Sequence, residues 1–315
     1  TIGKFGNGGG RNGLYLARFS SDGKLLSDKT ILDDVYNFHA MDIAASSDKG
    51  GVTVLAWADN PSDKTDKFSL IIQFDKDNAQ IRRRNYQPGP SNKLVSLTRM
   101  SEGSYVASGW IMQDDGRKAG WAVRLGGTGY LMWQQAYPRG KNAVLKKAIS
   151  HPNGGFVFVG ESKPYKITAN KKTGAWAMWL ENDGKPIWQR FWRSPYNLTG
   201  LDVMTIDNNR LQVLVQADTL DAKKRNHARI LTLTLRGQLI EDEAFMEGGN
   251  TTGLALLKLP GQERAIAGSA QTVFSLGGGE TEAERGIHDA WLLLVNAPEQ
   301  FTDPCKDGAR PDNPL

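Results

Sequence analysis

The stretch that most constrains this chain is residues 174–192, GAWAMWLENDGKPIWQRFW, because it contains two predicted β-strands and the turn between them. Apolar residues recur at every second position from Trp176 to Leu180, which is the period of a strand. Asp183 and Gly184 follow, and glycine readily adopts the positive φ that a short hairpin turn requires. Residues 174–192 are therefore predicted to form a β-hairpin.

Similar hairpins recur along the whole chain. The other copies are residues 13–30, 68–86, 120–137 and 227–245, and a sixth copy begins at Asp289 and stops early. Trp121 and Trp176 are 55 positions apart, and Trp176 and Ile230 are 54 apart. A repeat of this size buries its faces only against neighbouring copies, so the 315 residues are predicted to form one body of close to six units.

A pair of short apolar segments precedes each hairpin, which gives four strands in a unit. These pairs are 41–45 with 52–57, 94–99 with 105–109, 145–150 with 156–160, 202–206 with 211–216, and 253–258 with 264–268. Small residues near the end of the second segment, such as Gly109 and Gly268, indicate a crowded position near a central axis. No stretch has helical periodicity with capping residues. The fold is therefore predicted to be all-β.

The unit length is that of a β-propeller, predicted here with six blades of four antiparallel strands, while five or seven blades also fit the spacing. Residues 1–12 are interpreted as a flexible Gly-rich lead-in with at most one edge strand, 13–297 as a single propeller domain, and 298–315 as a polar C-terminal tail. The N-terminal hairpin counts as a third and fourth strand, whereas the chain ends near Trp291 on a third strand. The two ends therefore overlap imperfectly as parts of one blade.

The repeat also resembles a known class of proteins. Trp121, Leu125, Gly129 and Trp133 form the pattern W-x3-L-x3-G-x3-W, which recurs from Trp176 to Trp188. Together with the Gly-Gly turn and the sequence FVFVG at 156–160, it resembles bacterial β-propeller repeats of the quinoprotein-like and delta-60-repeat kind. The resemblance implies the fold rather than an activity, because such propellers include both cofactor-bearing dehydrogenases and docking proteins.

Composition and charge exclude several classes of function. The net charge of +5 is the balance of 39 basic and 34 acidic residues, which does not indicate a nucleic-acid-binding surface. The single cysteine, Cys305, permits no intrachain disulfide and no adjacent cysteine pair of the kind found in quinoprotein dehydrogenases. No apolar run approaches the roughly 18 residues of a membrane span, and the four histidines lack metal-ligand spacing. The sequence predicts no cofactor, no metal and no nucleic-acid partner.

The longest connections are predicted between the second and third strands of each unit, at 60–66, 112–119, 162–173, 219–226 and 271–287. Because strands alternate in direction, these loops should share one face of the propeller, which we call the long-loop face. Long loops on a rigid scaffold commonly carry binding residues, although they are also tolerated as neutral insertions.

Two of these loops form a predicted basic sector. The predicted partner-binding residues are Lys163, Tyr165, Lys166, Lys171, Lys172, Lys223, Lys224, Arg225 and Trp110. Trp110 is included because it does not follow the repeat positions of the other tryptophans. A surface sector of one sign attracts partners of opposite charge. The alternative is a solvated rim, since exposed charge pairs contribute on the order of 0–1 kcal/mol.

These observations favour a non-catalytic binding module that engages an acidic protein partner, in an inhibitory, capping or assembly role. The alternative is a glycan-active hydrolase or lyase with carboxylates at the propeller mouth. No nucleophile-elbow motif occurs, and no catalytic residue is assigned. The resemblance, together with a first residue that is Thr1 rather than Met, favours a periplasmic or extracellular location.

Overall fold

The computed structural model describes residues 1–6, 11–46, 50–89, 91–164, 172–219, 225–246, 250–260, 263–271 and 288–295. These residues form 22 β-strands and the turns that connect them, which confirms the all-β prediction. No helix in this part of the chain is long and apolar enough to cross a membrane.

The strands fall into six sheet units in chain order. Unit 1 contains β1 (Ile2–Gly6), β2 (Asn12–Phe19) and β3 (Leu25–Ile31). Unit 2 contains β4 (Asn37–Ala45), β5 (Val52–Asn60), β6 (Asp63–Phe74) and β7 (Gln80–Tyr86). Unit 3 contains β8 (Asn92–Arg99), β9 (Tyr105–Met112), β10 (Lys118–Leu125) and β11 (Leu131–Tyr137). Unit 4 contains β12 (Asn142–Ser150), β13 (Phe156–Lys163), β14 (Gly174–Leu180) and β15 (Pro186–Trp192). Unit 5 contains β16 (Asn197–Thr205), β17 (Arg210–Asp218), β18 (His227–Thr234) and β19 (Leu239–Phe245). Unit 6 contains β20 (Thr251–Lys258), β21 (Arg264–Gln271) and β22 (His288–Val295).

Consecutive strands within each unit pair antiparallel. Units 3 and 4 are also joined by one parallel pair, Lys118 with Asn142, so their strands form one continuous sheet. Units 2 to 5 have four strands, whereas the described residues of units 1 and 6 form three strands each. β1 lies where the sequence allowed one edge strand within residues 1–12, and it pairs with β2 in the position of a second strand. Unit 1 thus supplies a second, a third and a fourth strand, and unit 6 supplies a first, a second and a third. Because both ends supply a second and a third strand, they belong to separate units.

The predicted hairpin turns are confirmed, and all of them have the same geometry. The third residue of each turn has positive φ: Gly23, Asn78, Gly129, Gly184 and Gly237. In unit 4, the Gly184 N–H donates to the Glu181 carbonyl at 3.0 Å, and the Glu181 N–H donates to the Lys185 carbonyl at 2.8 Å. The pairing register shifts at the residue before the turn, here between Trp179 and Leu180. The turn sequence therefore fixes the register of both outer strands.

The hydrophobic core lies between successive units. Trp121 and Trp176 are each 1% exposed within the clusters that join units 2 to 3 and 3 to 4, which confirms their predicted packing role. The Trp133 N–H donates to the carbonyl of Asn182 in the next unit at 2.8 Å, and the Trp188 N–H donates to the Leu235 carbonyl at 3.1 Å. Trp133 and Trp188 thus bond to a neighbouring unit through their indole N–H groups, whereas the buried indole N–H of Trp176 has no hydrogen-bond partner among the described residues.

An asparagine at the start of each first strand also joins neighbouring units, and sequence reasoning missed this feature. Its side-chain oxygen accepts a hydrogen bond from a residue near the start of the preceding unit's third strand. For example, Asn197 accepts from the Thr173 N–H at 3.0 Å, and Asn250 accepts from the Asn226 N–H at 2.9 Å. The other members are Asn37, Asn92 and Asn142. These bonds satisfy backbone or hydroxyl donors at the point where two units meet.

Each first strand of units 2 to 6 contains a β-bulge. In β12 the register shifts between Leu145 and Lys147, opposite Gly160 of the second strand. A Cβ added at Gly160 would lie 2.0 Å from the Val144 oxygen, and Gly109 and Gly268 lie equally close to the bulged strands of their own units. The predicted crowding is confirmed, but its cause is the bulged neighbouring strand rather than a central axis.

Candidate functional site

The second strands end, and the first and third strands begin, at one end of the molecule, which is the long-loop face. Two of the predicted loops are shorter than expected. β5 and β6 are separated by two residues, because pairing continues to Asn60 and Asp63, and β10 already begins at Lys118. This end of the sheets is therefore built from rigid strand termini as well as loops.

Two tryptophans lie at equivalent positions on this face. Trp57 of β5 pairs with His39 of β4, and Trp110 of β9 pairs with Lys93 of β8. Trp110 therefore does follow the repeat, contrary to its interpretation from sequence, and Trp57 is its counterpart in the preceding unit. Both indole side chains are half-buried. Each one offers a ring face at the end of a second strand.

Lysine side chains lie over both rings. The Nζ atom of Lys93 is 4.9 Å from the Trp57 ring centroid, and that of Lys67 is 5.9 Å from it. The Nζ atom of Lys118 is 4.0 Å from the Trp110 ring centroid. A cation over an aromatic face is stabilised by about 0.5–1 kcal/mol at an exposed site. These contacts hold flexible lysine side chains in defined positions.

Neighbouring charges on this face affect the pKa of Lys93. Burial lowers the pKa of Lys93, and the positive charges of Lys146 and Lys118 lower it further, whereas Asp59 opposes the shift. Within the part of the chain that the structure describes, Lys93, Lys118 and Lys146 have no carboxylate within ion-pair distance. We call Trp57, Lys67, Lys93, Trp110, Lys118 and Lys146 the basic–aromatic patch. It concentrates positive charge beside two aromatic faces.

A histidine–aspartate pair borders this patch. His39 Nε2 lies 2.5 Å from Asp59 Oδ1, and the His39 ring centroid is 5.1 Å from that of Trp57. The Asn37 amide donates to the other Asp59 oxygen at 3.4 Å and orients the carboxylate. Among the described residues, no Ser, Thr or Cys side chain is hydrogen-bonded to His39. Within the described part of the chain, the pair therefore has no hydrogen-bonded nucleophile of the kind found in a catalytic triad.

The predicted basic sector is described only in part. Lys163 and Arg225 are exposed, and Lys172 is half-buried. The remaining predicted residues lie outside the described residues: Tyr165, Lys166, Lys171, Lys223 and Lys224. The role of the sector remains a prediction. Sequence reasoning missed Trp57 and the four lysines of the basic–aromatic patch, although alignment of Trp57 with Trp110 on the repeat was the available signal.

Two carboxylates occur at equivalent bulge positions of first strands. Asp42 accepts the N–H groups of Ile43 and Leu97, each at 2.8 Å, and Lys147 Nζ lies 3.4 Å from it. Asp202 accepts the N–H groups of Val203 and Leu256 at 2.8 and 2.9 Å. Burial raises the pKa of Asp202. Each carboxylate thus bonds its own bulge to the first strand of the next unit.

The described residues contain no group of three or more His, Cys, Asp or Glu side chains that could hold a metal ion. No family model and no curated protein matches the chain.

Solved structures do match the fold. The chain is similar to hydrazine synthase of Kuenenia stuttgartiensis, with a TM-score of 0.52 and 9% identity over 85% of this chain, and it spans 65% of that chain. It is also similar to a protein of unknown function from Dyadobacter fermentans, with a TM-score of 0.54 and 12% identity over 75% of this chain and 76% of that one. The neighbours are β-propeller-like, so the fold is propeller-like; at this identity they indicate no specific function.

Proposed function

We propose that this protein is a non-catalytic binding module that engages an acidic protein partner through the long-loop face, in the periplasm or outside the cell. The observation that carries the proposal is the cluster of Lys93, Lys118 and Lys146, which has no carboxylate partner in the described residues and lies beside Trp57 and Trp110. A partner whose carboxylates approach this cluster relieves the repulsion that Lys118 and Lys146 exert on Lys93. An inhibitory, capping or assembly role is consistent with a rigid face of this kind.

Both the lysines and the tryptophans of the basic–aromatic patch support protein recognition. Clustered positive charge steers an acidic partner and raises its association rate. Tryptophan is over-represented among residues that carry binding energy at protein interfaces, because its ring buries a large area with little conformational freedom to lose. Binding through this patch should therefore depend on both salt and the indole rings.

The test compares two triple variants. Lys93→Glu/Lys118→Glu/Lys146→Glu should weaken partner binding roughly 100-fold at about 50 mM salt, because attraction is replaced by repulsion. The partner is first captured from an extract of the source organism and purified, and affinity is then measured by titration at about 50 and 300 mM salt.

The matched control is Lys24→Glu/Lys76→Glu/Lys185→Glu, which changes the net charge equally. Its lysines lie in or beside the hairpin turns at the opposite end of the units, each paired with an aspartate. The control should bind within about threefold of the unmodified protein. Equal affinity of both triple variants at low salt would disprove the proposal.

The alternative of a glycan-active hydrolase or lyase lacks comparable support. It requires carboxylates free to exchange protons with a substrate. Asp42 and Asp202 of the inner strands instead accept backbone N–H bonds from the following unit. We therefore retain the binding module as the proposed function.

We propose further that the six units close a ring, with unit 6 packed on unit 1. Phe19 of unit 1 is 50% exposed, although its equivalents in units 2 to 5 are fully buried. These equivalents are Phe74, Leu125, Leu180 and Leu233. Leu292 of unit 6 is 67% exposed, and its equivalents in units 2 to 5 are at most 1% exposed. Those equivalents are Ile71, Ala122, Ala177 and Ile230.

Ring closure is tested by introducing a charge at Leu292. Leu292→Asp should lower the free energy of unfolding by roughly 3 kcal/mol, because a closed ring buries that carboxylate without a partner. Leu239→Asp is the control, since Leu239 lies on an outer strand and is 47% exposed. Denaturant titration measures both. A Leu292→Asp variant as stable as the control would contradict closure.

A further inference from the structure

A pocket on the long-loop face lies between units 3 and 4. It has a volume of about 370 Å³, which lies within the roughly 300–1,000 Å³ typical of ligand pockets. Its lining residues are Pro138, Arg139, Gly140, Ser162, Pro164, Phe191 and Arg193. Apart from the two arginines and Ser162, the residues that line this pocket are apolar.

The arginines of this pocket have no carboxylate partner among the residues that the structure describes. Arg139 and Arg193 are both exposed, and no carboxylate of the described residues forms an ion pair with either guanidinium. The Cζ atom of Arg139 lies 3.9 Å from the centroid of the Phe191 ring, which in turn stacks on Trp176 at 5.7 Å. The Phe191 ring, which packs on the buried Trp176, thus contacts the Arg139 guanidinium.

The segment that carries Arg139 is held rigidly. The Ser162 hydroxyl donates to the Arg139 carbonyl at 3.1 Å, and the Lys141 N–H donates to the Lys163 carbonyl at 2.7 Å. Gly140 has a φ of +60°, and a Cβ there would lie 2.0 Å from the Lys163 oxygen. The turn is therefore docked directly on the end of β13, which reduces the entropy lost when a ligand binds.

We infer that this pocket binds a carboxylate carried on an apolar body. A guanidinium forms paired hydrogen bonds with a planar carboxylate, while Pro138, Pro164 and Phe191 offer apolar contact to the rest of the ligand. Such a group occurs both in a free aromatic or branched carboxylate and at a protein C terminus that ends in an apolar residue. The inference does not depend on the acidic partner proposed for the basic–aromatic patch.

Calorimetric titration of the full chain at low salt tests the pocket with benzoate, benzamide and inorganic phosphate. Benzoate should bind at least roughly tenfold more tightly than neutral benzamide, because only the carboxylate pairs with the arginines. Arg139→Gln and Arg193→Gln should each weaken benzoate binding roughly tenfold. Arg82→Gln, at an exposed position on β7, is the control and should leave binding unchanged.

A peptide ending in phenylalanine, with a free or an amidated C terminus, distinguishes the two sources. Tighter binding of the free-acid peptide than of benzoate assigns the pocket to a protein C terminus, and the reverse order assigns it to a free carboxylate. Both results support the inference. Absence of benzoate binding at about 10 mM, equal binding of phosphate and benzoate, or benzoate binding unaffected by both arginine variants would overturn it. Melting temperatures of the variants verify that they are folded.

Discussion

Replacing Gly160 with alanine is expected to lower the free energy of unfolding by roughly 3 kcal/mol. The added Cβ would lie 2.0 Å from the Val144 oxygen and 2.9 Å from the Leu145 Cα atom. Both are backbone atoms of the bulged strand β12, so neither moves without disturbing the pairing of β12 with β13. The Gly160 carbonyl also faces Gly200 of unit 5, at 3.1 Å from an ideal Cβ there. A local shift would therefore be transmitted to the next unit.

Gly89→Ala provides the matched control for this substitution. Its added Cβ would lie 3.6 Å from a terminal Ile111 atom, which is an ordinary contact. The control should change the free energy of unfolding by less than about 0.5 kcal/mol. Chemical denaturation monitored by tryptophan fluorescence measures both variants. Equal stability of Gly160→Ala and Gly89→Ala would show that β12 and β13 separate more easily than the bulge geometry implies.

The outer hairpins could be predicted from sequence because their determinants are local. Gly184 and Gly237 follow polar turn residues, and their positive φ depends only on the residues of the turn itself. The apolar sequence around Trp176 likewise predicts a strand, and β14 proves to be buried on both faces. Asn78 adopts the same positive φ in the turn of unit 2, since asparagine tolerates a left-handed backbone better than most residues.

The candidate site could not be assembled from sequence because its parts come from different strands. Lys93 is the second residue of β8, Lys118 is the first residue of β10, and Lys146 lies in the bulge of β12. The pairing register brings Lys93 beside Trp110, and the packing of unit 2 on unit 3 places its ammonium group over the ring of Trp57. Sequence reasoning favoured the loops that contain consecutive lysines, since proximity along the chain was its only measure of clustering. The basic–aromatic patch consists instead of one residue from each of six strands.

The carboxylates that join neighbouring units, Asp42 and Asp202, could not be identified from sequence, because a bulge cannot be located without its partner strand. Asp42 and Asp202 each follow a bulged residue and accept one N–H from their own strand and one from the next unit. Asp42 has Lys147 at 3.4 Å, whereas the structure gives Asp202 no ion pair within the described residues. Asp202 therefore joins units 5 and 6 mainly through hydrogen bonds to a buried carboxylate.

Asp202→Ala is expected to lower the free energy of unfolding by roughly 3 kcal/mol, because two backbone N–H groups lose their acceptor. Asp202→Asn retains one acceptor and should cost less. Asp77→Ala, in an exposed hairpin turn, is the control and should change stability by less than about 0.5 kcal/mol. An Asp202→Ala variant as stable as that control would contradict the proposed link between units 5 and 6.

The pH dependence of Asp202 provides a second, independent measurement. Burial raises the pKa of Asp202 above its ordinary value of 3.8, so the folded state binds a proton more readily than the unfolded state. The resulting stabilisation is complete below 3.8 and is lost as the pH rises through the folded-state pKa. Between about pH 7 and pH 4.5, the unmodified protein should therefore gain stability relative to Asp202→Asn. A stability difference that stays constant over this range would mean that the carboxylate of Asp202 is hydrated, and that burial does not govern its charge.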